Sequence, residues 1–280
     1  MGAALPLGTA ALGGLALVLL AGQAASALGV GRSERSLTVA LPPATSDAIF
    51  ASPLARGRPI VVLDAGHGGS DPGALGTTSS VAEKDLTLAL ARDLRDALVS
   101  RGRVRVALTR VDDRALGLEQ RSAVARRLNA AAFVSLHMDS AANPLARGAS
   151  VYSLSDVASD AEAAALAGSL NQGSSGPTGE GSVAALLSDL VMRAQMTASA
   201  SLATRLVVKS SGRVALRVDP HRFAAFHVLR RADSPAVLFE AGYLSNIDDE
   251  ALLRSPEHRA ALVSALADAI ETDIAARAQR

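Results

Sequence analysis

The sequence predicts an α/β fold: a single domain with a mainly parallel sheet and helices on both faces. Short apolar runs typical of buried strands alternate with longer stretches that have the periodicity of amphipathic helices. Polar side chains of the kind that bind ligands directly follow several of these runs, where α/β sheets collect their ligands. The length of 280 residues, 49% of them apolar, is sufficient for one full core.

Composition excludes several classes of function. The 28 basic and 27 acidic residues nearly cancel, which argues against a nucleic-acid binder that relies on bulk charge. The chain has no cysteine, which excludes a thiol nucleophile, a disulfide framework and a cysteine-ligated zinc site. Any metal must therefore be bound through nitrogen and oxygen.

The first 27 residues are typical of an export signal. Residues 1–31 carry no charged side chain, and their apolar run is shorter than the ~20 residues that span a membrane. Ala25-Ser26-Ala27 has the small-x-small pattern of a cleavage site. We expect cleavage near Ala27 and a periplasmic or other extracytoplasmic location. The alternative is that this segment stays uncleaved as an anchor, in which case it is the only part of the chain expected to contact the membrane. Residues 28–58 lack periodicity and are predicted as a spacer, and the folded domain is expected over residues 59–278.

The stretch Ile60–Leu86 organises the domain. Its first four residues are predicted as a buried strand, and a loop with five glycines and His67 follows. The glycine spacing fits neither of the usual phosphate-binding motifs. His67 is then either an incidental residue of a structural turn or a metal ligand, and a metal ligand needs partners elsewhere in the chain.

A helix, a strand and a second helix are predicted next. A leucine every fourth residue predicts a helix that begins near Glu83 and ends at Gly102. Val104–Thr109 is predicted as a strand. Leu118–Asn129 is predicted as a helix whose arginines, Arg121 among them, form a solvated surface.

Two further apolar runs end in candidate site residues. Ala132–Leu136 is predicted as a buried strand and is followed by His137, and Ala236–Phe239 is followed by Glu240. Since strand ends in a parallel sheet share one edge, these side chains are expected to meet. The other predicted elements are strands at Gly148–Leu154 and Val214–Val218, a helix from Ser182 to about Ser210, a last helix from Ser255-Pro256, and a variable insert, a candidate regulatory segment, over residues 155–181.

The candidate residues, two histidines and two acids, are of the types that a metal-dependent hydrolase uses. Two imidazoles and one carboxylate with an open fourth position are typical of a catalytic zinc site. Bound zinc lowers the pKa of water to about 7, and a further carboxylate can carry the proton to a leaving amine. Glu83 has an alternative explanation, because an acid at a helix start is favoured by the helix dipole alone.

Four segments resemble the zinc-dependent N-acetylmuramoyl-L-alanine amidases of the bacterial cell wall, of the AmiA, AmiB and AmiC type. They are LDAGHGGSDPGALG, the following EKDL, LTRVDDRALGLEQRSAVARRLNAAAFVSLHMDSA and SPAVLFEAGYLSN, in the family's order. The resemblance implies a twisted sheet flanked by helices, one Zn²⁺ per chain bound by His67, Glu83 and His137, and Glu240 as the catalytic residue. It also implies cleavage of the amide between N-acetylmuramic acid and L-alanine of peptidoglycan, in wall remodelling and daughter-cell separation.

The chain departs from the family pattern at two places. Asp139 stands where the family commonly has asparagine. After Tyr152, some members carry a helix that blocks the active site and lends a glutamate to the zinc; Glu162 and Glu180 are the candidates for that autoinhibitory ligand here. The partners implied are peptidoglycan and, for a member held inactive, an activator protein of the divisome.

Two weaker candidates and two other functions stay open. Asp64 either hydrogen-bonds a ligand histidine or serves the turn beside the glycines. His221 lies either in the substrate groove or in a surface loop. The same ligands would serve a zinc peptidase that cuts within the stem peptide, and a wall-binding protein without catalysis is the alternative from another class.

Overall fold

The computed structural model describes residues 47–172 and 183–279. The predicted export signal, residues 28–46 of the predicted spacer and the candidate Glu180 lie outside the described residues. In the described part, no helix is both long and apolar enough to cross a membrane.

Seven strands of the described chain form one sheet, in the order β1-β3-β2-β4-β7-β5-β6. Four neighbouring pairs are parallel, while β1–β3 and β5–β7 are antiparallel. The predicted α/β class with a mainly parallel sheet is therefore confirmed. The strands are β1 (Ile49–Phe50), β2 (Ile60–Ala65), β3 (Arg105–Leu108), β4 (Ala132–Asp139), β5 (Ala149–Leu154), β6 (Leu216–Ala224) and β7 (Ala236–Tyr243).

Helices cover both faces of the sheet, because side chains of each strand alternate between two hydrophobic clusters. The helices are α1 (Glu83–Arg101), α2 (Leu118–Arg127), α3 (Ala161–Leu170), α4 (Val183–Ser210), α5 (His227–Arg230), α6 (Ile247–Arg254) and α7 (Pro256–Ala278). Val61 and Leu63 of β2 pack with the apolar sides of α1, α4 and α7, whereas Ile60 and Val62 pack on the side of α2, α3 and α5.

Parts of the predicted spacer and of the predicted variable insert are folded. Ile49–Phe50 pairs with β3 at the sheet edge, although two residues are too few to give a periodic signal. Helix α3 forms within residues 155–181, where alanine-rich sequence of high helix propensity follows Asp160, whose side chain accepts a hydrogen bond from the Ala163 amide. The alanine, serine and glycine content that suggested a variable segment concealed this helix.

The sheet register places the site. His137 of β4 and Glu240 of β7 are Cα partners, and β2 on the other side of β4 leads directly into the glycine loop. The carboxyl ends of the three strands therefore share one edge, as the sequence predicted. The short helices α5 and α6 and the full length of β6 were not predicted; Pro220 interrupts the pattern of β6 and is tolerated because that strand lies at the sheet edge.

Candidate active site

Glu83, the first residue of α1, lies between the two predicted ligand histidines. Its Oε2 is 3.1 Å from His67 Nε2, and its Oε1 is 3.0 Å from His137 Nδ1. The three ligand atoms lie within 4.8 Å of one another. Two imidazole nitrogens and one carboxylate oxygen this close together are a donor set that fits zinc, so the residues present could hold a divalent ion.

Backbone amides fix the orientation of the Glu83 carboxylate. The Ala74 amide donates to Oε2 at 2.9 Å, and the Met138 amide donates to Oε1 at 3.0 Å. Burial alone would raise the pKa of Glu83, but hydrogen bonds with His137 and His67 hold that pKa well below its usual range. Glu83 is thus both the acid at the helix start and the carboxylate between the histidines, and it is ionised as a metal ligand must be.

Besides Glu83, a second carboxylate contacts a predicted ligand histidine, and it is that of Asp71, not of Asp64. Its Oδ2 is 2.8 Å from His67 Nδ1, which leaves Nε2 directed toward Glu83. A carboxylate on the far ring nitrogen fixes the tautomer of a metal-binding histidine. His67 has a φ of 58°, which is a left-handed backbone conformation, and the turn brings Asp71 to its ring. The spacing of four residues between His67 and Asp71 in the sequence does not by itself predict this contact.

Asp64 instead belongs to a buried network beneath the loop. It accepts hydrogen bonds from Thr109 Oγ1 at 2.6 Å, Ser135 Oγ at 2.7 Å and Arg121 Nη1 at 2.8 Å. Burial would raise its pKa, but Arg121 and these hydrogen bonds keep it lowered. The interpretation of Asp64 as a partner of a ligand histidine is therefore wrong.

Two buried arginines bind the backbone that carries His67. Arg121, 5% exposed, donates to the carbonyls of Ala65 and His67 at 2.7 Å each, so its predicted place on a solvated surface is wrong. Arg110, 2% exposed, donates to the carbonyls of Ala65 and Gly66 at 2.9 Å. The helical position of Arg121 gave no sign of this, because charged residues on a helix are mostly solvated.

Two glycines make room for the His137 ring and the Glu83 carboxylate. A Cβ on Gly66 would lie 2.4 Å from Cε1 of His137, and a Cβ on Gly73 would lie 2.5 Å from Oε2 of Glu83. Neither position can accept a side chain without displacing His137 or Glu83. The close approach of ring and carboxylate to the loop backbone explains why glycine is needed at both positions.

Glu240 shares with His67, Glu83 and His137 a cavity of about 830 Å³ that all four residues line. The side chain is 1% exposed, and its Oε2 has no hydrogen-bond partner among the described residues. Burial, Asp139 and Glu83 raise the pKa of Glu240 well above its usual value. A carboxyl group in this position is suited to holding and transferring a proton.

Helix α3 forms one wall of the cavity, and Glu162 at its start is held away from the ligand group. Arg217 binds both carboxylate oxygens of Glu162 at 2.7 and 3.1 Å, and the Tyr243 hydroxyl donates to Oε1 at 2.9 Å. Glu162 lines the cavity but is not part of the group that could hold a metal. The expectation that it supplies an autoinhibitory ligand therefore finds no support in this geometry.

His221 lies on β6 and is not among the residues that line the cavity. Its Nε2 is 2.9 Å from Ser153 Oγ, and its ring packs on Phe223 with 4.6 Å between centroids. His221 is therefore partly buried on a strand, in neither the substrate groove nor the surface loop that the sequence suggested.

Glu250 of α6 anchors the glycine loop near Glu83. It accepts hydrogen bonds from the amides of Thr78 and Ser79 at 2.7 and 2.9 Å, and from the Ser79 hydroxyl. Burial would raise the pKa of Glu250, but these bonds lower it to about 2. A carboxylate whose pKa is lowered by folding stabilises the protein above the unfolded pKa of about 4.3, and this stabilisation is lost as pH falls toward 2.

We expect Glu250→Gln to lower the free energy of unfolding at pH 7 by about 1–3 kcal/mol, because hydrogen bonds to a charged group are lost. Urea unfolding of both proteins should show this difference shrinking between pH 5 and pH 2. Asp219→Asn, the same carboxylate-to-amide change at an exposed residue, is the matched control. A difference that is independent of pH would contradict the role given to the Glu250 charge.

Comparison with known proteins agrees with the sequence motifs and the fold. The family profile described as N-acetylmuramoyl-L-alanine amidase matches residues 61–272. The chain is 34% identical to N-acetylmuramoyl-L-alanine amidase AmiC of Neisseria meningitidis and to AmiA of Escherichia coli, with 76% of the chain aligned in each case. It spans 52% of that AmiC but 75% of that AmiA.

A solved structure supports the same assignment. The catalytic domain of CwlV, an N-acetylmuramoyl-L-alanine amidase from Bacillus (Paenibacillus) polymyxa var. colistinus, superposes with a TM-score of 0.54 at 30% identity. The alignment covers 76% of this chain and 96% of that domain. Since the family profile spans residues 61–272, which carry the site, and the relatives are 34% identical, this chain belongs to the N-acetylmuramoyl-L-alanine amidase family.

Proposed function

We propose that the protein is an exported, zinc-dependent hydrolase that cleaves the amide between the lactyl group of N-acetylmuramic acid and L-alanine in peptidoglycan. The observation that carries the proposal is the buried His67–Glu83–His137 group, which shares one cavity with the buried carboxyl of Glu240. Family membership supplies the wall polymer as the substrate. Zinc is the ion proposed because its usual ligands are the nitrogen and oxygen donors found here.

Each residue of the site has a distinct task in this proposal. Zinc bound by His67, Glu83 and His137 would lower the pKa of water and polarise the substrate carbonyl. Glu240 takes a proton from the attacking water and delivers it to the amide nitrogen, whereupon the carbon–nitrogen bond breaks. The lactyl group leaves as a carboxylic acid and L-alanine as a free amine, so one water is consumed per bond.

Digestion of purified sacculi tests the proposal. Mass spectrometry should find stem peptides with a free L-alanine amino group, and a chelator should stop their release until zinc is restored. A peptidase would instead leave muramic acid attached to alanine, and a wall-binding protein without catalysis would release nothing with zinc bound. Either of these two results would refute the amidase assignment.

We also propose that the enzyme acts outside the cytoplasm, in wall remodelling and daughter-cell separation, with a divisome protein as activator. The support is the export-type sequence of residues 1–27 together with the peptidoglycan substrate, which lies outside the cell membrane. Fractionation of cells that produce the full chain tests the location: a protein retained whole in the cytoplasm would contradict it.

A further inference from the structure

One side of helix α3 lines the active-site cavity from the first turn of the helix to the last. The buried side of the helix carries Ala163 and Ala167, which are 0% and 4% exposed and pack in the hydrophobic cluster on that face of the sheet. The neighbouring side meets the cavity at intervals of three and four residues, which is the repeat of a single helical face. The residues of this cavity face are Glu162, Ala165, Leu166, Ser169 and Leu170.

Both ends of α3 are bound to the rest of the domain. At the start, the Asp160 carboxylate accepts a hydrogen bond from the Arg222 guanidinium of β6. At the end, the Asn171 side chain donates to the Ala225 carbonyl at 2.7 Å and accepts from the His227 amide at 2.8 Å. Because contacts at both ends hold the helix, a molecule that enters the cavity meets the cavity face of α3 as a preformed surface.

Helix α3 lies on the Glu240 side of the candidate metal-binding group. In the sheet, β4 carries His137, its neighbour β7 carries Glu240, and β5 and β6 follow in that order. The Glu162 carboxylate of α3 is bound by Arg217 of β6 at 2.7 Å and by the Tyr243 hydroxyl of β7 at 2.9 Å. The direction from the metal-binding group to Glu240 therefore continues toward α3.

The segment that leads into α2 lines the cavity on the His67 side. Residues 116–118 belong to the cavity wall. Arg121 donates to the carbonyls of Leu116 at 3.1 Å and His67 at 2.7 Å, which places this segment beside His67. The cavity thus has one wall next to a candidate metal ligand and another, α3, beyond Glu240.

We propose that the cavity face of α3 binds the stem peptide of the substrate, while the muramic acid lies toward residues 116–118. The inference rests on the proposed function, in which Glu240 delivers a proton to the amide nitrogen. That nitrogen must face Glu240, and the lactyl carbon lies on the other side of the carbonyl carbon, because the substituents of a trigonal carbon point apart. The peptide that continues from the nitrogen extends along Ala165, Leu166 and Ser169, whose uncharged side chains suit small residues such as alanine.

Two adjacent alanines of α3 provide a matched test. Ala164 and Ala165 are both exposed, and of the two only Ala165 lines the cavity. Ala165→Leu should lower kcat/KM roughly 10-fold on an N-acetylmuramoyl tetrapeptide, because the added carbon atoms obstruct the path of the peptide, and by a smaller factor on the corresponding dipeptide. Ala164→Leu adds the same atoms outside the cavity and should leave both values unchanged. Ser169→Leu, one turn further along the cavity face, is the second variant, and thermal unfolding checks that all three proteins are folded.

Two further measurements separate the peptide from the sugar and binding from catalysis. Extending the muramoyl group to a disaccharide should change kcat/KM by the same factor in the native protein and in Ala165→Leu. Fluorescence anisotropy of a labelled free stem tetrapeptide should show a Kd raised roughly 10-fold in Ala165→Leu and unchanged in Ala164→Leu. An equal loss on dipeptide and tetrapeptide, a loss that follows the sugar, or unchanged peptide binding in Ala165→Leu overturns the proposal. A native protein that binds the peptide but cleaves no amide refutes the proposed function instead.

Discussion

Glu240→Gln is expected to abolish hydrolysis and leave the bound metal in place. Glutamine has the shape of glutamate but can neither take a proton from water nor deliver one to the leaving amine, so kcat should fall roughly 100- to 10,000-fold. Because the pKa of the buried Glu240 is raised by burial and by neighbouring carboxyl groups, a neutral side chain should fold at least as stably. Activity, metal content and melting temperature of the same preparation check all three expectations.

Glu119→Gln supplies the matched control for that experiment. It makes the same change on α2 at a half-exposed side chain that pairs with Arg126 and does not line the cavity, and it should leave kcat unchanged. If Glu240→Gln stays active, Glu240 is not the proton carrier. If it loses the metal, Glu240 contributes to binding the ion, and the three-ligand assignment is wrong.

Gly66→Ala is expected to remove metal binding without a change in any ligand residue. The added Cβ would lie 2.4, 2.6 and 2.7 Å from Cε1, Nε2 and Nδ1 of His137, too close for any real contact. The imidazole must then move away from Glu83. Since changes to the groups that orient a ligand typically cost 10- to 100-fold in metal affinity, we expect at least that loss, with activity lost in parallel at limiting zinc.

Gly168→Ala is the control for this second experiment. Gly168 lies in α3, and a Cβ there would meet nothing within 4 Å, so the change should preserve activity and raise helix stability slightly. Competition with a chromogenic chelator measures the zinc affinity of native and variant proteins. A normal zinc affinity in Gly66→Ala would contradict the expectation that the added Cβ displaces the His137 ring from its position beside Glu83.

The sequence predicted the sheet and the four central residues because each signal is local. A short, mainly apolar run that His67, His137 or Glu240 follows within four residues can be recognised from neighbouring residues. Arg121 and Asp71 could not be assigned in this way: the partner of Arg121 lies 57 residues away in Asp64, and Asp71 reaches His67 through a left-handed turn. Long-range pairing and backbone conformation of this kind leave no periodic pattern.

The hydrogen bonds of Glu83 have a consequence for metal selection. Backbone amides and two imidazoles hold this carboxylate in one orientation. A site of nitrogen and oxygen donors binds divalent ions in an order of intrinsic affinity in which copper exceeds zinc. Under the proposed function, the supply of divalent ions in the compartment where the chain folds would therefore contribute to which metal these residues bind.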